Sequence, residues 1–221
     1  ALAREKEADL VLLAGDLLDS EHVYRETVQA LRAALAGIPC PVFIAPGNHD
    51  FYSPRSPWAV LDWPEQVHIF TDSALERVDL PGCTLWGRAF TDAHQDTCPL
   101  AGLSVPDDGA LHIACLHGSV GEGADYGPLS PMEIAASGLD YLALGHVHQA
   151  SGLQKAGETF WAYPGCAEGR GFDELGEKGV LYVTAEPGRV EAQFVPLAKR
   201  RYEIITADLT GAEHALSAIR A

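Results

Sequence analysis

The chain has 221 residues, 47% of them hydrophobic and 21% charged, a globular composition long enough for one large domain or one domain plus part of a second. Acidic residues outnumber basic ones 31 to 15, and the formal net charge of −16 argues against a protein that grips duplex nucleic acid through a broad basic face. No apolar run approaches the ~20 residues needed to span a bilayer. The five cysteines (Cys40, Cys83, Cys98, Cys115, Cys166) form no Cys-x-x-Cys, which argues against a thiolate zinc site and fits a reducing cytoplasm.

Residues 1–8 read as the end of a helix. The apolar run 9–14 (DLVLLA), stopped by Gly15, has the pattern of a strand buried in an α/β sheet. From 22 to 36, Tyr24, Thr27, Val28, Leu31 and Leu35 recur at helical spacing and Gly37 supplies a stop. A second buried strand follows over 41–45. This helix–strand–helix–strand opening implies a preceding strand, and the one methionine, Met132, leaves Ala1 without an initiator, so sequence before Ala1 is expected. Short strands are predicted over 67–70, 75–80 and 83–90, and buried strands over 111–116 and 139–144. Between the last two, Ser130-Pro131-Met132-Glu133 is a helix start, with Ser as cap, Pro at the first position and Glu three residues on. Strands over 159–163, 180–184 and 190–196 come next, the last two joined by a turn at 186–189. Residues 202–220 read as a strand and a helix.

Four polar segments each follow an apolar strand: Gly15-Asp16-Leu17-Leu18-Asp19, Gly47-Asn48-His49-Asp50, His117-Gly118 and Gly145-His146-Val147-His148. In an α/β sheet the carboxyl ends of strands are where ligand sites assemble. Taken singly, each segment has a plain alternative: a turn with a helix cap, a loop satisfied by Asn and Asp, or a structural histidine. Together they offer oxygen and imidazole donors without sulfur, a set suited to manganese, iron or zinc.

The order GD…GNHD…H…GHxH resembles the calcineurin-like metallophosphoesterase superfamily over about residues 9–148. The resemblance implies a four-layer α-β-β-α sandwich, two mixed sheets flanked by helices, whose first strand is missing from this chain. It implies two divalent cations, manganese foremost with iron or zinc as alternatives, and phosphoester hydrolysis by water activated between them. Asp16 would bridge the two cations; Asn48, His117 and His146 would complete one shell and His148 would serve the other. The family's Asp-x-His on a first strand has no counterpart before Asp16. His49 would protonate the leaving group, and Asp50 would orient an imidazole. Asp19 is equally explained as a supporting group or a helix cap.

A finer resemblance is to DNA repair exonucleases of the SbcD type. It rests on the Gly-Asp-Leu-Leu-Asp and Pro-Gly-Asn-His-Asp motifs and on the tail Tyr163-Pro164-Gly165, Gly171-Phe172, Glu177-Lys178-Gly179-Val180, Val195-Pro196-Leu197 and Arg200-Arg201-Tyr202. It implies a nuclease domain over 1–198, the start of a capping segment over 199–221, DNA ends as substrate and an SbcC-like ATPase as partner. Arg55, Arg88 and Arg170 are candidate phosphate contacts or ordinary surface residues. Phe51, Tyr52, Trp58, Trp63 and Trp161 are candidates for base stacking or for core. The alternatives are an esterase for small-molecule or protein phosphoesters and a non-catalytic scaffold with an incomplete first metal site.

Overall fold

The apolar runs fold as short buried strands, in a computed structural model that describes residues 1–20, 23–121, 123, 125–206 and 210. The first third holds α1 (Leu2–Glu5), β1 (Val11–Leu13), α2 (Arg25–Ala36), β2 (Val42–Ile44), α3 (Pro57–Val60) and β3 (Val67–Ile69). There follow β4 (Glu76–Leu80), β5 (Cys83–Gly87), β6 (Leu111–His117), α4 (Pro131–Ser137) and β7 (Tyr141–Gly145). The chain continues with β8 (Gln154–Ala156), β9 (Thr159–Ala162), β10 (Gly179–Glu186) and β11 (Arg189–Pro196). Among the described residues, no helix is long and apolar enough to cross a membrane.

Three sheets result. Strands β1-β2-β3 form a parallel sheet, β4-β5-β6-β7-β9-β8 a mixed six-stranded one, and β10-β11 an antiparallel pair. Alternation along the strands decides what each face buries. In β2, Val42 and Ile44 pack with Leu35 of α2 and Trp58 of α3, whereas Phe43 turns to the opposite face. There it meets Leu85, Ile113 and Cys115 of the six-stranded sheet, with Val190 of the antiparallel pair closing the same core. The outer face of the six-stranded sheet sends Ala114, Leu116, Leu142 and Leu144 against Ile134 of α4. Helix, sheet, sheet and helix therefore stack in four layers, with β2 and nearly all of β6 buried on both sides.

The helix start at Ser130 is realised in full. Ser130 Oγ accepts from the Glu133 N–H at 3.2 Å, and Glu133 Oε2 accepts from the Ser130 N–H at 2.8 Å. Other boundaries shift. Helix α1 covers only Leu2–Glu5 of the expected 1–8, and α2 begins at Arg25 rather than 22, with residues 21 and 22 outside the described ones. Strand β5 stops at Gly87, beyond which Ala89 and Phe90 donate to the carbonyls of Asp72 and Pro46 instead of continuing the ladder. Strand β8 escapes the apolar pattern because Gln154-Lys155-Ala156 has none; the Gly157-Glu158 pair before β9 was its only signal, a two-residue hairpin with Gly157 at φ 59°. Tyr202 bridges to Leu175, and most of the expected element at 202–220 lies outside the described residues.

The parallel registers bring strand ends to one place. His117 pairs with Gly145 across β6 and β7, and Val11 pairs with Val42 across β1 and β2. Gly145 lies so close to β1 that a Cβ there would collide with the Ala14 carbonyl oxygen. That glycine sets how nearly the two sheets meet at the edge carrying the polar motifs. Gly145→Ala must force the backbones apart, and is expected to cost roughly 3 kcal/mol in urea unfolding and to weaken manganese binding, since His146 is the next residue.

Candidate metal centre

Asp16, Asn48, His117 and His146 leave the ends of four different strands and converge. His117 is buried at the end of β6, and its Nδ1 lies 2.7 Å from the Ala14 carbonyl oxygen. A carbonyl can only accept, so Nδ1 carries a proton, and the tautomer that this selects has its Nε2 lone pair facing inward. That Nε2 lies 2.9 Å from Asn48 Oδ1, 3.3 Å from Asp16 Oδ2 and 3.3 Å from His146 Nδ1. His146 Nδ1 is in turn 3.1 Å from Asn48 Oδ1.

Four potential ligand atoms thus gather, with His117 Nε2 and His146 Nδ1 standing 2.9 to 3.3 Å from their neighbours. Donors held about 2.1 Å from a shared cation stand roughly 3.0 Å apart at right angles and roughly 3.4 Å apart at tetrahedral angles. The edges of the cluster match a first coordination shell, and Asp16, His117 and His146 could hold a divalent ion between them. The backbone is bent to make it so. Asp16 has φ 54° and His146 φ 103°, positions that side chains other than Gly, Asn and Asp rarely adopt. Gly47 has to be a glycine as well, because a Cβ there would strike Asp16 Oδ1.

The electrostatics suit a cation. Burial tends to raise the Asp16 pKa, but the His117 ring, which when doubly protonated donates to Asp16 and sets a positive charge beside it, outweighs burial together with the His49 N–H and lowers the pKa below the ordinary range. For His146, burial and then the neighbouring His117 lower the pKa below the usual 6.5, against the pull of Asp16. The ring is thereby kept neutral and able to donate its lone pair.

Asp50 has a different place from the expected one. Its carboxylate is 2% exposed and accepts four backbone N–H groups, from Gly47 at 2.7 Å, Leu17 at 2.9 Å, Asp16 at 3.1 Å and Leu18 at 3.3 Å. No imidazole is among its hydrogen-bond partners within the described residues. The chain turns sharply after β1 and β2, and the amides freed there need an acceptor, which Asp50 supplies. Burial pushes its pKa up, opposed by these amides and reinforced by the Asp16 charge. A proton on Asp50 would have to confront an N–H, so the anion is the form this cage holds.

His49 stands at the rim. Its N–H donates to Asp16 Oδ1 at 3.0 Å, and its Nδ1 donates to the Asp19 carbonyl at 3.3 Å. Nε2 has no partner among the described residues. His148 is not drawn into the cluster: its Nδ1 lies 2.6 Å from Glu174 Oε1, a buried carboxylate that the motifs did not bring to notice. Burial raises the Glu174 pKa, but the Arg170 N–H and then His148 bring it below the ordinary value. The Asp19 carboxylate pairs with Arg170 at 2.5 Å. Arg88 is buried and donates to Gln95, and Arg55 is exposed. Trp58 is core, donating from Nε1 to the Asp50 carbonyl and stacking on Trp63, while Trp161 packs on the outer face of the six-stranded sheet.

The profile of the calcineurin-like phosphoesterases matches residues 1–150, a stretch that carries all four motifs. The chain belongs to that family, whose members bind divalent metals. It is also 30% identical, over a 236-residue alignment, to the uncharacterized metallophosphoesterase YhaO of Bacillus subtilis (strain 168). The alignment covers 96% of this chain and 54% of YhaO, so the chain spans about half the length of that relative.

Two outcomes follow from the geometry. Asp50→Asn sets an NH2 group against amide donors, and is expected to lose about 2–3 kcal/mol of stability, read by urea unfolding of the metal-free protein. For His146 the folded state takes up its proton at lower pH than the unfolded chain, so the unfolded state binds more protons in that window. Metal-free protein should therefore lose stability as pH falls through about 6.5 toward the lowered folded value. His146→Asn, which tolerates the positive φ, should flatten that dependence in unfolding curves.

Proposed function

We propose that this chain is the catalytic part of a metal-dependent phosphodiesterase that acts on DNA ends. The observation that carries the reading is the convergence of Asp16 Oδ2, Asn48 Oδ1, His117 Nε2 and His146 Nδ1 beside a His49 Nε2 that has no partner among the described residues. Asp16, Asn48, His117 and His146 would hold one cation, and Asp16 and His148 would contribute to a second. Manganese suits this oxygen and imidazole donor set, with iron or zinc as the other candidates. When bound, the two ions neutralise phosphoryl oxygens and activate water as the nucleophile.

The chain's own residues do the rest. His49, fixed through its N–H on Asp16 and its Nδ1–H on the Asp19 carbonyl, presents Nε2 to the leaving oxygen and, in the imidazolium form that also carries a proton on Nε2, gives that proton up and is left as the neutral Nδ1–H ring. Arg170, held over Asp19, offers a cation within reach of a bound phosphate. Support for DNA as the substrate comes from the exonuclease-like tail, Tyr163-Pro164-Gly165 through Arg200-Arg201-Tyr202, and an SbcC-like ATPase would supply the basic surface that this chain lacks. The free cysteines fit work in the cytoplasm. The net charge of −16 favours a second reading, hydrolysis of small or protein-borne phosphoesters.

The test is full-length protein with manganese, assayed on end-labelled single- and double-stranded DNA and on a small aromatic phosphodiester. Release of nucleotides from DNA ends supports the first reading, and hydrolysis of the small diester alone supports the second. Bound metal with no hydrolysis of any substrate leaves a scaffold. His49→Ala should reduce turnover by roughly 10²–10⁴-fold with metal content near wild type; loss of metal in that variant removes His49 as the acid.

A further inference from the structure

The segment between β9 and β10 lies beyond residues 1–150, the stretch matched by the family profile, yet it is built around His148. It touches that residue at both ends. The His148 carbonyl accepts from the Cys166 N–H at 3.3 Å and from Lys178 Nζ at 3.0 Å, and Lys178 is only 3% exposed. The His148 ring donates from Nδ1 to Glu174 Oε1 at 2.6 Å. Glu174 is 5% exposed, and its second oxygen accepts the Arg170 N–H at 2.6 Å. Both of its oxygens are committed before any cation is considered.

An ordinary surface His–Glu pair has two mobile partners and contributes little. Here the carboxylate is buried and locked, while the imidazole it holds is half exposed, with a side chain 49% accessible. A carboxylate cannot donate, so the ring is fixed with its proton on Nδ1 and its lone pair on Nε2. That nitrogen has no partner among the described residues. His148 stands two residues after His146 in the same turn that follows β7.

We propose that Glu174 is the positioning residue of His148, holding the imidazole in the one tautomer and orientation that offers Nε2 to the second cation. The inference rests on the reading of His148 as a metal ligand. Carboxylates behind ligating histidines orient the ring and raise its basicity. Lys178 and the Cys166 amide fix the His148 backbone, so that neither end of the residue is left to loop motion.

Full-length protein carrying Glu174→Ala or Glu174→Gln tests this in two ways. The first readout is the His148 tautomer in metal-free, 15N-histidine-labelled protein at about pH 8.5, above the imidazole range, by long-range proton–nitrogen NMR. Wild type should show the Nδ1–H form. Glu174→Ala should move toward the Nε2–H form that free histidine prefers, and Glu174→Gln, whose amide oxygen still accepts, should keep Nδ1–H. The second readout is manganese titration. The weaker-bound ion should lose roughly 10–100-fold in affinity in Glu174→Ala, and less in Glu174→Gln, with the tighter ion unchanged. An unchanged tautomer and unchanged affinities in Glu174→Ala overturn the proposal alone. Wild-type manganese binding by His148→Ala overturns the reading of His148 as a ligand, and the role of Glu174 with it.

Discussion

A single buried carboxylate holds the two loops on which the site is built. Asp50 takes the amides of Asp16, Leu17 and Leu18 from the turn after β1 and that of Gly47 from the turn after β2. Each turn leaves N–H groups pointing inward, and unsatisfied they would cost more than the turn could return through packing. Joining both turns to one anion fixes Asp16 relative to Asn48 before any ligand arrives. Trp58 closes the cage from the far side by donating to the Asp50 carbonyl, which ties α3 to the same point.

With the loops fixed, the sheets complete the arrangement. The registers of β6 and β7 put His117 beside Gly145, and the near contact of Gly145 with the Ala14 carbonyl closes the edge between the sheets. The Ala14 carbonyl also receives the His117 proton, so it sets both the sheet spacing and the tautomer of a metal-facing ring. The result is a close group of oxygen and imidazole atoms that share protons through hydrogen bonds and could together face one cation. The positive φ of Asp16, in the left-handed region that Asp readily adopts, and the rarer φ of His146 both fall where the site is.

The stretch after β9, beyond the residues matched by the family, packs its polar groups on His148. Glu174 and Lys178 are both buried charged groups in a loop-rich segment, and both are engaged with His148. Burial of a charge is tolerated where it is hydrogen-bonded, and here the bonds converge on one residue. Arg170 links this segment to Asp19, so the loop after β1 and the loop after β9 are joined across the rim near His49. The acidic surface of the chain makes the few basic groups near the rim more consequential for an anionic substrate.

Much of this was legible in the sequence, and the limit is physical. Apolar runs of strand length ending in Gly-Asp, Gly-Asn-His-Asp, His-Gly and Gly-His-x-His marked the strands that carry the site and brought forward Asp16, Asn48, His117 and His146, because buried parallel strands need continuous hydrophobic residues and their tips carry the chemistry. The helix start at Ser130 was equally local, since a capping box is completed within four residues. Only the tertiary structure decided the partners of Asp50, which depend on two turns 30 residues apart meeting in space. It alone revealed Glu174, an acidic residue in a loop with no periodicity or motif to mark it, 26 positions from the histidine it holds. Local pattern determines which residues can serve; the meeting of distant strand ends and loops determines which ones are held in place to do so.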